Sequence, residues 1–467
     1  MKCNFIKYAL FLIPLMLWSC KSIDIAQPVL NETDPIITRS SAVSKLSIPI
    51  EIGMQNQLKE VEKKLPMNFE GKDEPCEGVS FSYKFIREPV DFQLNKSDLY
   101  YEVNGRFELK LNYCPKCHGL WGEKESCVIP RLYASCGVGE PMRRVKVGYN
   151  TAISLTSDYK FDAQTKLKMF KVLDPCEITV FHYNATAQVE EQVKGELKAL
   201  EKEIDKQIEA VDIQSSIKKV WRQLEEPVDL SGYGLLYMKP KTLAFSPVTF
   251  DKQNNLANLT AELGLEPIIS TDKEEVYHSA LPKQSVYSNQ PGFLLSILVK
   301  ASYDSINKQI NKELMGYKIP IKRKVLIVDS VQIIGHYNQK LFVKVCFSGT
   351  RHGVFFLSGT PEITPEQFLV VSDLAYDVKT KSVLLKTAKW IFDKRILGLL
   401  STSAKFDLKP FLTEATSGIN QHVNTTLDEG VYLSGSIDKL LLSGLKLGTT
   451  GLFLNTEVSG NLKLKIK

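Results

Sequence analysis

Apolar and polar residues alternate over long stretches of this chain. From Leu452 to Ile466 the even positions are Leu, Thr, Val, Gly or Ile, and the odd positions after Phe453 are Asn, Glu, Ser or Lys. Successive side chains of a strand point to opposite faces, so this period of two predicts a strand with one buried and one wet face. The alternation recurs from Tyr101 to Tyr113 and from Leu341 to Phe347. Antiparallel sheets with one solvated face are therefore expected.

A helical period appears in few places. Between Val189 and Val211, apolar residues recur every three or four positions among Glu and Lys, which predicts one long helix with a narrow apolar stripe. This stripe is expected to pack on the chain's own sheet, and a coiled-coil dimer is the alternative. A second helix is expected from Asp407, whose carboxylate can cap it, towards Gly430. The apolar stretch from Trp390 to Leu400 predicts a core helix, with a membrane-facing helix as the alternative.

A repeat divides the chain in two. The strand that contains Leu46 and Ile48 and runs into a helix returns at Leu295 and Ile297, a shift of 249 residues (295 − 46 = 249). In each half a long helix is later followed by two strands. Two modules of similar build are therefore expected. They are an N-terminal module at 44–270 with a cysteine-rich insertion at 114–136, a connector at 271–291, and a C-terminal module at 292–467.

The N-terminus has the composition of an export signal followed by a linker. Two lysines precede an apolar run from Tyr8 to Trp18 that is too short to span a bilayer, which predicts a signal peptide at 1–19. The run ends at Leu17-Trp18-Ser19-Cys20, which resembles the lipobox of bacterial lipoproteins. Cys20 is therefore the expected site of lipid attachment, and an ordinary signal peptide is the alternative. Residues 20–43 are polar and rich in Thr and Ser, so they are expected to form a flexible tether.

This anchor sets the expected location. A lipid-anchored protein associates with the membrane through its acyl chains and needs no transmembrane helix. Lys21 and Ser22 follow the cysteine in place of the Asp that retains lipoproteins in the inner membrane. The expected location is the cell envelope, at the outer membrane, on its periplasmic or surface side.

Six further cysteines lie in the first half of the chain, namely Cys76, Cys114, Cys117, Cys127, Cys136 and Cys176. An even set outside the cytoplasm predicts three disulfides, and the sequence leaves their pairing open. Zinc is the alternative, bound by Cys114, Cys117, Cys127 and Cys136, although these lack the second CxxC of a zinc ribbon.

Charge and motifs narrow the classes of function. The net charge of +6 is modest and the lysines are scattered, which argues against nucleic-acid binding. The six histidines are dispersed, and the sequence contains no HExxH, GxSxG, P-loop or GxGxxG motif. A protein without catalytic activity or cofactor is expected, and a hydrolase with an unrecognised site is left open.

Four local motifs carry a family resemblance: Leu46-Ser-Ile-Pro-Ile, Leu357-Ser-Gly-Thr-Pro361, Trp390 before an apolar stretch, and Gly430-Val-Tyr-Leu-Ser-Gly435. With them, the chain from Ser44 onward resembles an uncharacterised family of Gram-negative lipoproteins, the domain of unknown function 4403. That family is similar in turn to the tubular lipid-binding superfamily, which includes bactericidal/permeability-increasing protein. The resemblance implies an α+β, mostly antiparallel β fold of two tandem modules. Each module would be a highly curved sheet wrapped around a long helix (TULIP-like).

The resemblance and the apolar strand faces together predict the function. The chain is expected to be a membrane-anchored envelope lipoprotein that binds or carries a lipid or another hydrophobic molecule in an apolar tube. A tube filled by its own side chains is the alternative to a hollow one. The alternative function is an envelope glycan-binding or adhesion module with a solid core, with contacts from exposed aromatic residues such as Trp121 and Tyr133.

Overall fold

The computed structural model describes residues 23, 25–30, 44–118, 126–178, 183–230, 234–321, 323–371, 373–377, 380–381, 383–384, 398 and 405–467. In these residues strands far outnumber helices, and most strand pairs are antiparallel. The fold class is α+β with curved sheets, as the sequence predicts.

The described helices are α1 (Met54–Lys64), α2 (Thr186–Glu209), α3 (Gln214–Glu225), α4 (Tyr303–Leu314) and α5 (Lys409–His422). The first strands are β1 (Ser44–Gly53), β2 (Asn68–Asp73), β3 (Gly78–Arg87), β4 (Asp91–Leu94), β5 (Leu99–Cys114), β6 (Cys117–His118), β7 (Ser126–Cys127), β8 (Leu132–Cys136), β9 (Arg143–Leu155), β10 (Phe161–Val172), β11 (Glu177–Ile178) and β12 (Tyr183–Asn184). The next are β13 (Val228–Asp229), β14 (Leu235–Tyr237), β15 (Pro240–Phe245), β16 (Thr249–Asp251), β17 (Leu256–Leu265), β18 (Ile268–Ser270), β19 (Phe293–Ser302), β20 (Lys318–Ile321), β21 (Lys324–Tyr337), β22 (Lys340–Gly349) and β23 (Gly353–Gly359). The last are β24 (Pro361–Ile363), β25 (Phe368–Val371), β26 (Ala375–Tyr376), β27 (Lys405–Asp407), β28 (Thr425–Asp428), β29 (Val431–Leu447) and β30 (Gly451–Ile466).

The first strand and helix of each half repeat with the predicted shift. β1 and α1 begin at Ser44 and Met54, and β19 and α4 begin at Phe293 and Tyr303 (293 − 44 = 303 − 54 = 249). Each first strand pairs antiparallel along its full length with a later strand of the same half, β1 with β17 and β19 with β30. The predicted strand-to-helix repeat is confirmed.

These pairs join into one central sheet. The end of β1 runs parallel to the end of β30, and β19 runs parallel to β18. One hydrophobic cluster spans the junction, with Leu46 and Leu263 from one half, Leu295 and Val458 from the other, and Trp221 from α3. Because both halves contribute strands to this sheet, the module boundaries drawn from the sequence stay a prediction.

Each half also builds an outer sheet. The N-terminal sheet has the order β10-β9-β5-β3-β2, with β4 and β8 paired to β5, and the C-terminal sheet has the order β20-β21-β22-β23-β26. Register shifts interrupt the pairing of β10 after Leu167 and of β21 after Val328 and Ile333. A bulge bends its strand and increases the local twist, which accounts for the curvature of these sheets.

Helix side chains bind backbone groups of the bent strands. Leu167 donates its N–H to a carboxylate oxygen of Glu201 on α2 at 2.7 Å. In the C-terminal half, the Asn311 side chain on α4 donates to the Val331 carbonyl at 2.6 Å and accepts from the Val331 N–H at 2.9 Å. Such contacts satisfy groups that an open strand edge would leave without a partner.

Of the three predicted helices, one is confirmed, one is shorter than predicted and one lies outside the described residues. The helix expected from Val189 to Val211 is confirmed as α2, which lies along β10 of its own chain as expected. The helix expected from Asp407 towards Gly430 is shorter than predicted, because the chain pairs as β28 from Thr425 onward. The helix expected at 390–400 lies outside the described residues, apart from Gly398. No described helix is both long and apolar enough to cross a membrane.

Part of the predicted flexible tether is packed. Ile23 and Ile25 are 3% and 6% exposed and belong to the core of the C-terminal sheet. Ile23 donates its N–H to the His352 carbonyl at 3.2 Å and accepts from the Val354 N–H at 3.0 Å. These two residues are packed and the flexible tether at 20–43 otherwise stays a prediction, because composition does not reveal that two isoleucines have a sheet to pack on.

The predicted connector contains neither helix nor strand from 271 to 292. It is nevertheless fixed to the body. Glu225, at the end of α3, accepts hydrogen bonds from the backbone N–H of Ser279 at 2.7 Å and from its hydroxyl at 2.5 Å. The indole of Trp221 donates to the same hydroxyl at 3.1 Å.

Candidate functional site

One face of the N-terminal sheet is apolar across several strands. Residues directly opposite each other in an antiparallel pair share a face, and the register pairs Tyr83 with Leu109 and Tyr113 with Leu132. We call the part of this face nearest β2 and the cysteine-rich loop the open face. Its residues are Phe69, Val79, Phe81, Tyr83, Leu111, Tyr113 and Leu132.

The remainder of the same face is covered by α2. The rings of Tyr101 and Tyr149 stack with centroids 5.7 Å apart, and the Tyr149 hydroxyl donates to the Leu197 carbonyl of α2 at 3.0 Å. Val189 and Val193 of α2 pack in the neighbouring cluster. Burial raises the pKa of both phenols, so the two hydroxyls stay neutral over the physiological pH range. This part of the face is ordinary core.

The open face keeps its apolar side chains in contact with solvent. Val79, Tyr113 and Leu132 are 53%, 44% and 61% exposed. Among the described residues, α2 makes its main contacts with β10, at the opposite edge of the sheet from β2. A contiguous apolar patch of this kind on a folded protein is typical of a binding surface.

Aromatic rings form the floor of the open face. The rings of Phe81 and Tyr83 are stacked with centroids 6.5 Å apart. Tyr83 pairs with Gly71 on β2, and a Cβ atom at Gly71 would lie 2.5 Å from the Tyr83 ring. Because the glycine has no side chain, the tyrosine ring lies across the neighbouring strand. The floor is therefore aromatic, with Asp73 of β2 opposite Phe81 at its end.

Three disulfides fix the surroundings of the open face. They join Cys76 to Cys117, Cys114 to Cys127 and Cys136 to Cys176, with Cα–Cα distances of 5.8, 5.8 and 5.5 Å. Cys76 precedes β3 and Cys114 ends β5, the two strands that carry most of the open face. The third bond ties β8 to the segment before α2. The disulfides therefore hold the edge of the open face, which lacks a covering helix among the described residues.

The six predicted cysteines are thus brought together as three bonded pairs. The alternative zinc set of Cys114, Cys117, Cys127 and Cys136 is distributed over all three bonds, and a sulfur in a disulfide cannot serve as a thiolate ligand. Within the described ranges, no group of three His, Cys, Asp or Glu side chains is arranged to hold a metal ion.

Other predicted site residues fall elsewhere. Cys20 and Trp121 lie outside the described residues. Tyr133 is 68% exposed but pairs with Asn112, which places it on the polar face of the sheet, opposite to the open face. It therefore does not share a surface with Tyr83 and Tyr113.

Sequence reasoning identified the alternation of β5 but did not single out β2 and β3. The signal was present, since Val79, Phe81, Tyr83 and Phe85 alternate with polar residues as far as Lys84. The sequence could not show that α2 covers only the part of this face near β10 and leaves the part near β2 exposed. The exposure of the open-face residues depends on this position of α2.

The corresponding face of the C-terminal sheet is filled. Val328 and Val345 from its strands pack with Phe355, and Ile23 and Ile25 enter the same cluster. The N-terminal segment thus packs in the C-terminal half, and the two halves differ in this respect. In the described residues, the predicted tube takes the form of one filled core and one open face.

A separate depression of about 730 Å³ runs along α5. It is shallow and open to solvent, and it is lined by Asp407, Lys409, Pro410, Thr413, Glu414, Ser417, Gly418 and Gln421. A ligand site normally encloses most of its ligand, so this open depression does not correspond to the predicted tube.

Sequence comparison then places the chain in a family. The family described as domain of unknown function (DUF4403) matches residues 42–466. The chain belongs to this family. The match covers the strands of both halves, from β1 to β30, and the family resemblance drawn from the four local motifs is confirmed.

Further comparisons add one structural likeness. No curated protein matches the sequence. Among solved structures, the chain is similar to a crystal structure of lipopolysaccharide binding protein, with 10% sequence identity and a TM-score of 0.29. The alignment covers 91% of this chain and 99% of that chain.

Proposed function

We propose that this DUF4403 protein is a lipid-anchored lipoprotein of the cell envelope that binds an acyl chain, from a lipid or a similar apolar molecule, on the open face. The observation that carries the proposal is the apolar surface of the open face, which no described part of the chain covers and which disulfides hold at its edge. The protein acts by binding and carrying, and no covalent step is part of its function.

The hydrophobic effect is sufficient for such binding. Burying roughly 300 Å² of apolar surface between a chain and the open face gives about 7 kcal/mol before the entropic cost of association. Association costs at least about 4 kcal/mol, which leaves a modest net affinity. Modest affinity suits a ligand that is taken up and released.

The proposed anchor keeps the protein close to a source of acyl chains. Acylation at Cys20 holds the chain at a leaflet of the outer membrane, where acyl chains are the abundant apolar ligand. The three disulfides are consistent with an oxidising compartment outside the cytoplasm.

Binding of a fluorescent fatty acid, cis-parinaric acid, to the chain from Lys21 onward tests the proposal. Tyr83→Ser combined with Tyr113→Ser removes two partly exposed rings from the open face, and we expect binding about tenfold weaker or more. Tyr133→Ser combined with Tyr277→Ser is the matched control, because both rings are more exposed and Tyr133 lies on the polar face. Equal losses in the two variants would contradict the proposal.

A second measurement addresses the alternative function. Organic extraction and mass spectrometry of the purified chain should recover lipid in near-stoichiometric amount. Lipid-free protein whose affinity for envelope glycans falls with Tyr133→Ser would instead favour a glycan-binding module.

A further inference from the structure

We propose that the connector at 271–292 is an acid-released latch. It covers the hydrophobic cluster at the junction of the two halves while two buried carboxylates are ionised, and it lifts from the cluster when both are protonated. The latch requires neither a ligand on the open face nor the anchor at Cys20.

The first carboxylate is that of Glu225, at the end of α3, whose side chain is 4% exposed. One of its oxygens accepts from the backbone N–H of Ser279 at 2.7 Å and from the Ser279 hydroxyl at 2.5 Å. The other oxygen lies 3.3 Å from Nδ1 of His278, and Nε2 of the same ring lies 3.6 Å from Glu226. Two neighbouring residues of the connector are therefore held by one buried carboxylate.

The second carboxylate repeats this arrangement nine positions further along the connector (288 − 279 = 9). Glu262 of β17, whose side chain is 7% exposed, accepts from both the backbone N–H and the hydroxyl of Ser288. The charged group that faces Glu262 is Lys45 of β1, at 3.5 Å. Each carboxylate thus clamps one serine through two hydrogen bonds, and such bonds to an ionised acceptor are roughly twice as strong as those between neutral groups.

Between the two clamps, the connector lies against the apolar junction. Leu281 packs on the cluster that contains Leu243 and Trp221. Trp221 is 2% exposed, and its indole donates to the hydroxyl of Ser279 at 3.1 Å. Lifting the connector therefore exposes Trp221 and the apolar surface beside it.

The ends of the connector are held in a different way from its middle. Thr271 donates its N–H to the Lys300 carbonyl at 3.1 Å, and Gly292 accepts from the Ser47 N–H at 3.1 Å. These backbone bonds do not depend on a carboxylate. Because the chain between them has neither helix nor strand, the middle can lift while both ends stay attached.

Other contacts of the middle do not replace the clamps. The N–H groups of Gln284 and Ser285 donate to backbone carbonyls, but these are bonds between neutral groups. Glu274 pairs with Lys300 at 2.8 Å and with Lys239 at 3.8 Å, and this attachment is also lost when its carboxyl is protonated. Acid thus removes the charge-assisted contacts of the connector and leaves the weaker ones.

Protonation acts on both clamps in the same direction. A neutral carboxyl accepts hydrogen bonds less strongly and brings an O–H donor into a site whose neighbours are already donors. Burial by itself raises the pKa of Glu225, but the hydrogen bonds from Ser279 and His278 hold that pKa below the usual 4.5. The uncovered state, which lacks these bonds, takes up the proton more readily, so a falling pH favours lifting.

The first test is hydrogen exchange, measured by mass spectrometry on the chain from Lys21 onward and corrected for the intrinsic effect of pH. As the pH falls below 4.5, the peptides that contain Ser279 and Ser288 should exchange about tenfold faster or more. Peptides of α2 and β30 should keep their protection. A connector that stays protected until these elements also unfold would overturn the proposal.

The second test imitates the protonated clamps at neutral pH. Glu225→Gln combined with Glu262→Gln should speed connector exchange about tenfold at neutral pH and leave little further change in acid. Glu226→Gln combined with Glu275→Gln is the matched control, because both side chains are exposed and the change in net charge is the same. The control should exchange like the wild type.

Equal exchange in the two double variants would overturn the proposal. The peptides of α2 and β30 report whether each variant is folded. If the clamp variant unfolds as a whole, the pH series of the wild-type chain decides, because there the connector must lose protection before the rest of the molecule.

Discussion

At the scale of single residues, the fold relies on a few buried charged groups that hold loops to helices and sheets. Arg87 is the clearest case. Its guanidinium is 3% exposed and pairs with Glu62 of α1 at 2.6 Å. It also donates to the carbonyls of Leu65 at 2.9 Å and Pro66 at 2.9 Å. One side chain therefore donates hydrogen bonds to the carbonyl groups at the C-terminal end of α1, which lack partners within the helix. The helix α1 has no buried residue of its own.

Arg87→Ala should consequently destabilise the protein strongly. The substitution leaves Glu62 without its partner and several carbonyls without a donor, which predicts a loss of about 3 kcal/mol in the free energy of unfolding. Arg144→Ala is the control, because Arg144 is largely exposed in its pair with Asp174 and should lose much less. Chemical denaturation measures both, and similar losses would show that the Arg87 contacts contribute little.

Glu225 gives a pH dependence to the attachment of the connector. Burial by itself raises the pKa of this carboxyl, but hydrogen bonds from the Ser279 hydroxyl and backbone and from His278 together lower the pKa below the usual 4.5. A lowered folded-state pKa stabilises the protein above the unfolded value, and this stabilisation is lost as the pH falls through the folded value. We expect Glu225→Gln to lower the melting temperature at neutral pH and to reduce the acid sensitivity below pH 4.5. A variant with unchanged sensitivity would argue against this carboxylate as the cause.

At the scale of elements, one type of contact recurs. Amide or carboxylate side chains of a helix form hydrogen bonds with the backbone of a neighbouring strand. Asn307 and Asn311 on α4 bind Ile333 and Val331 of β21 in this way. Asn420 on α5 and Asn424, two residues beyond its end, accept from the N–H groups of Ile437 and Gly435 of β29. The two asparagines of α4 are four positions apart, so they lie on one face of the helix and match alternate residues of the strand.

Replacing both asparagines of α4 should therefore weaken the C-terminal sheet. Asn307→Ala with Asn311→Ala leaves the N–H and carbonyl groups of two buried residues unpaired, and we expect a loss of about 2 to 4 kcal/mol. Hydrogen exchange of the Val331 and Ile333 amides should accelerate. Unchanged exchange at these amides, compared with an exposed control such as Asn254→Ala, would show that water replaces the side chains without penalty.

Much of the element layout could be predicted from the sequence because alternation and helical spacing are local. The strands that contain Tyr101–Tyr113 and Leu452–Ile466, the long helix and the shift of 249 all follow from residue patterns that act over one turn or one strand. The docking of Ile23 could not be predicted in this way, because it depends on β23, more than 300 residues away in the chain. The end of α5 was also not predicted, because the polar residues from Thr425 to Asp428 give no apolar alternation to indicate that they pair with β29.

At the scale of the whole molecule, the two halves begin with the same strand and helix and each has an outer sheet, but they differ in how the apolar face of that sheet is covered. The C-terminal sheet is filled, in part by a segment that precedes β1, whereas the N-terminal sheet leaves an apolar face open beside three disulfides. Cysteine content indicated the disulfides, but the open face could not be predicted because exposure depends on how far α2 extends across the sheet. A repeat detected in sequence therefore predicts a common fold without predicting a common function for the two halves.

The proposed anchor makes a prediction at this scale. Cys20→Ala removes the only thiol in the proposed lipobox, so the protein should move from the membrane fraction to the soluble fraction of the envelope. Metabolic labelling with a palmitate analogue should mark the wild-type protein and not the variant. A labelled Cys20→Ala protein, or one that still sediments with membranes at high salt, would contradict lipid attachment at this residue.

Binding of an acyl chain on the open face can be located by photo-crosslinking. A fatty acid with a diazirine in its chain would be bound to the purified protein, irradiated and located by mass spectrometry of the peptides. Crosslinks are expected on β2, on β3 and on the second half of β5, around Tyr83 and Tyr113. Crosslinks confined to the C-terminal sheet or the groove along α5, or none above background, would contradict binding on the open face.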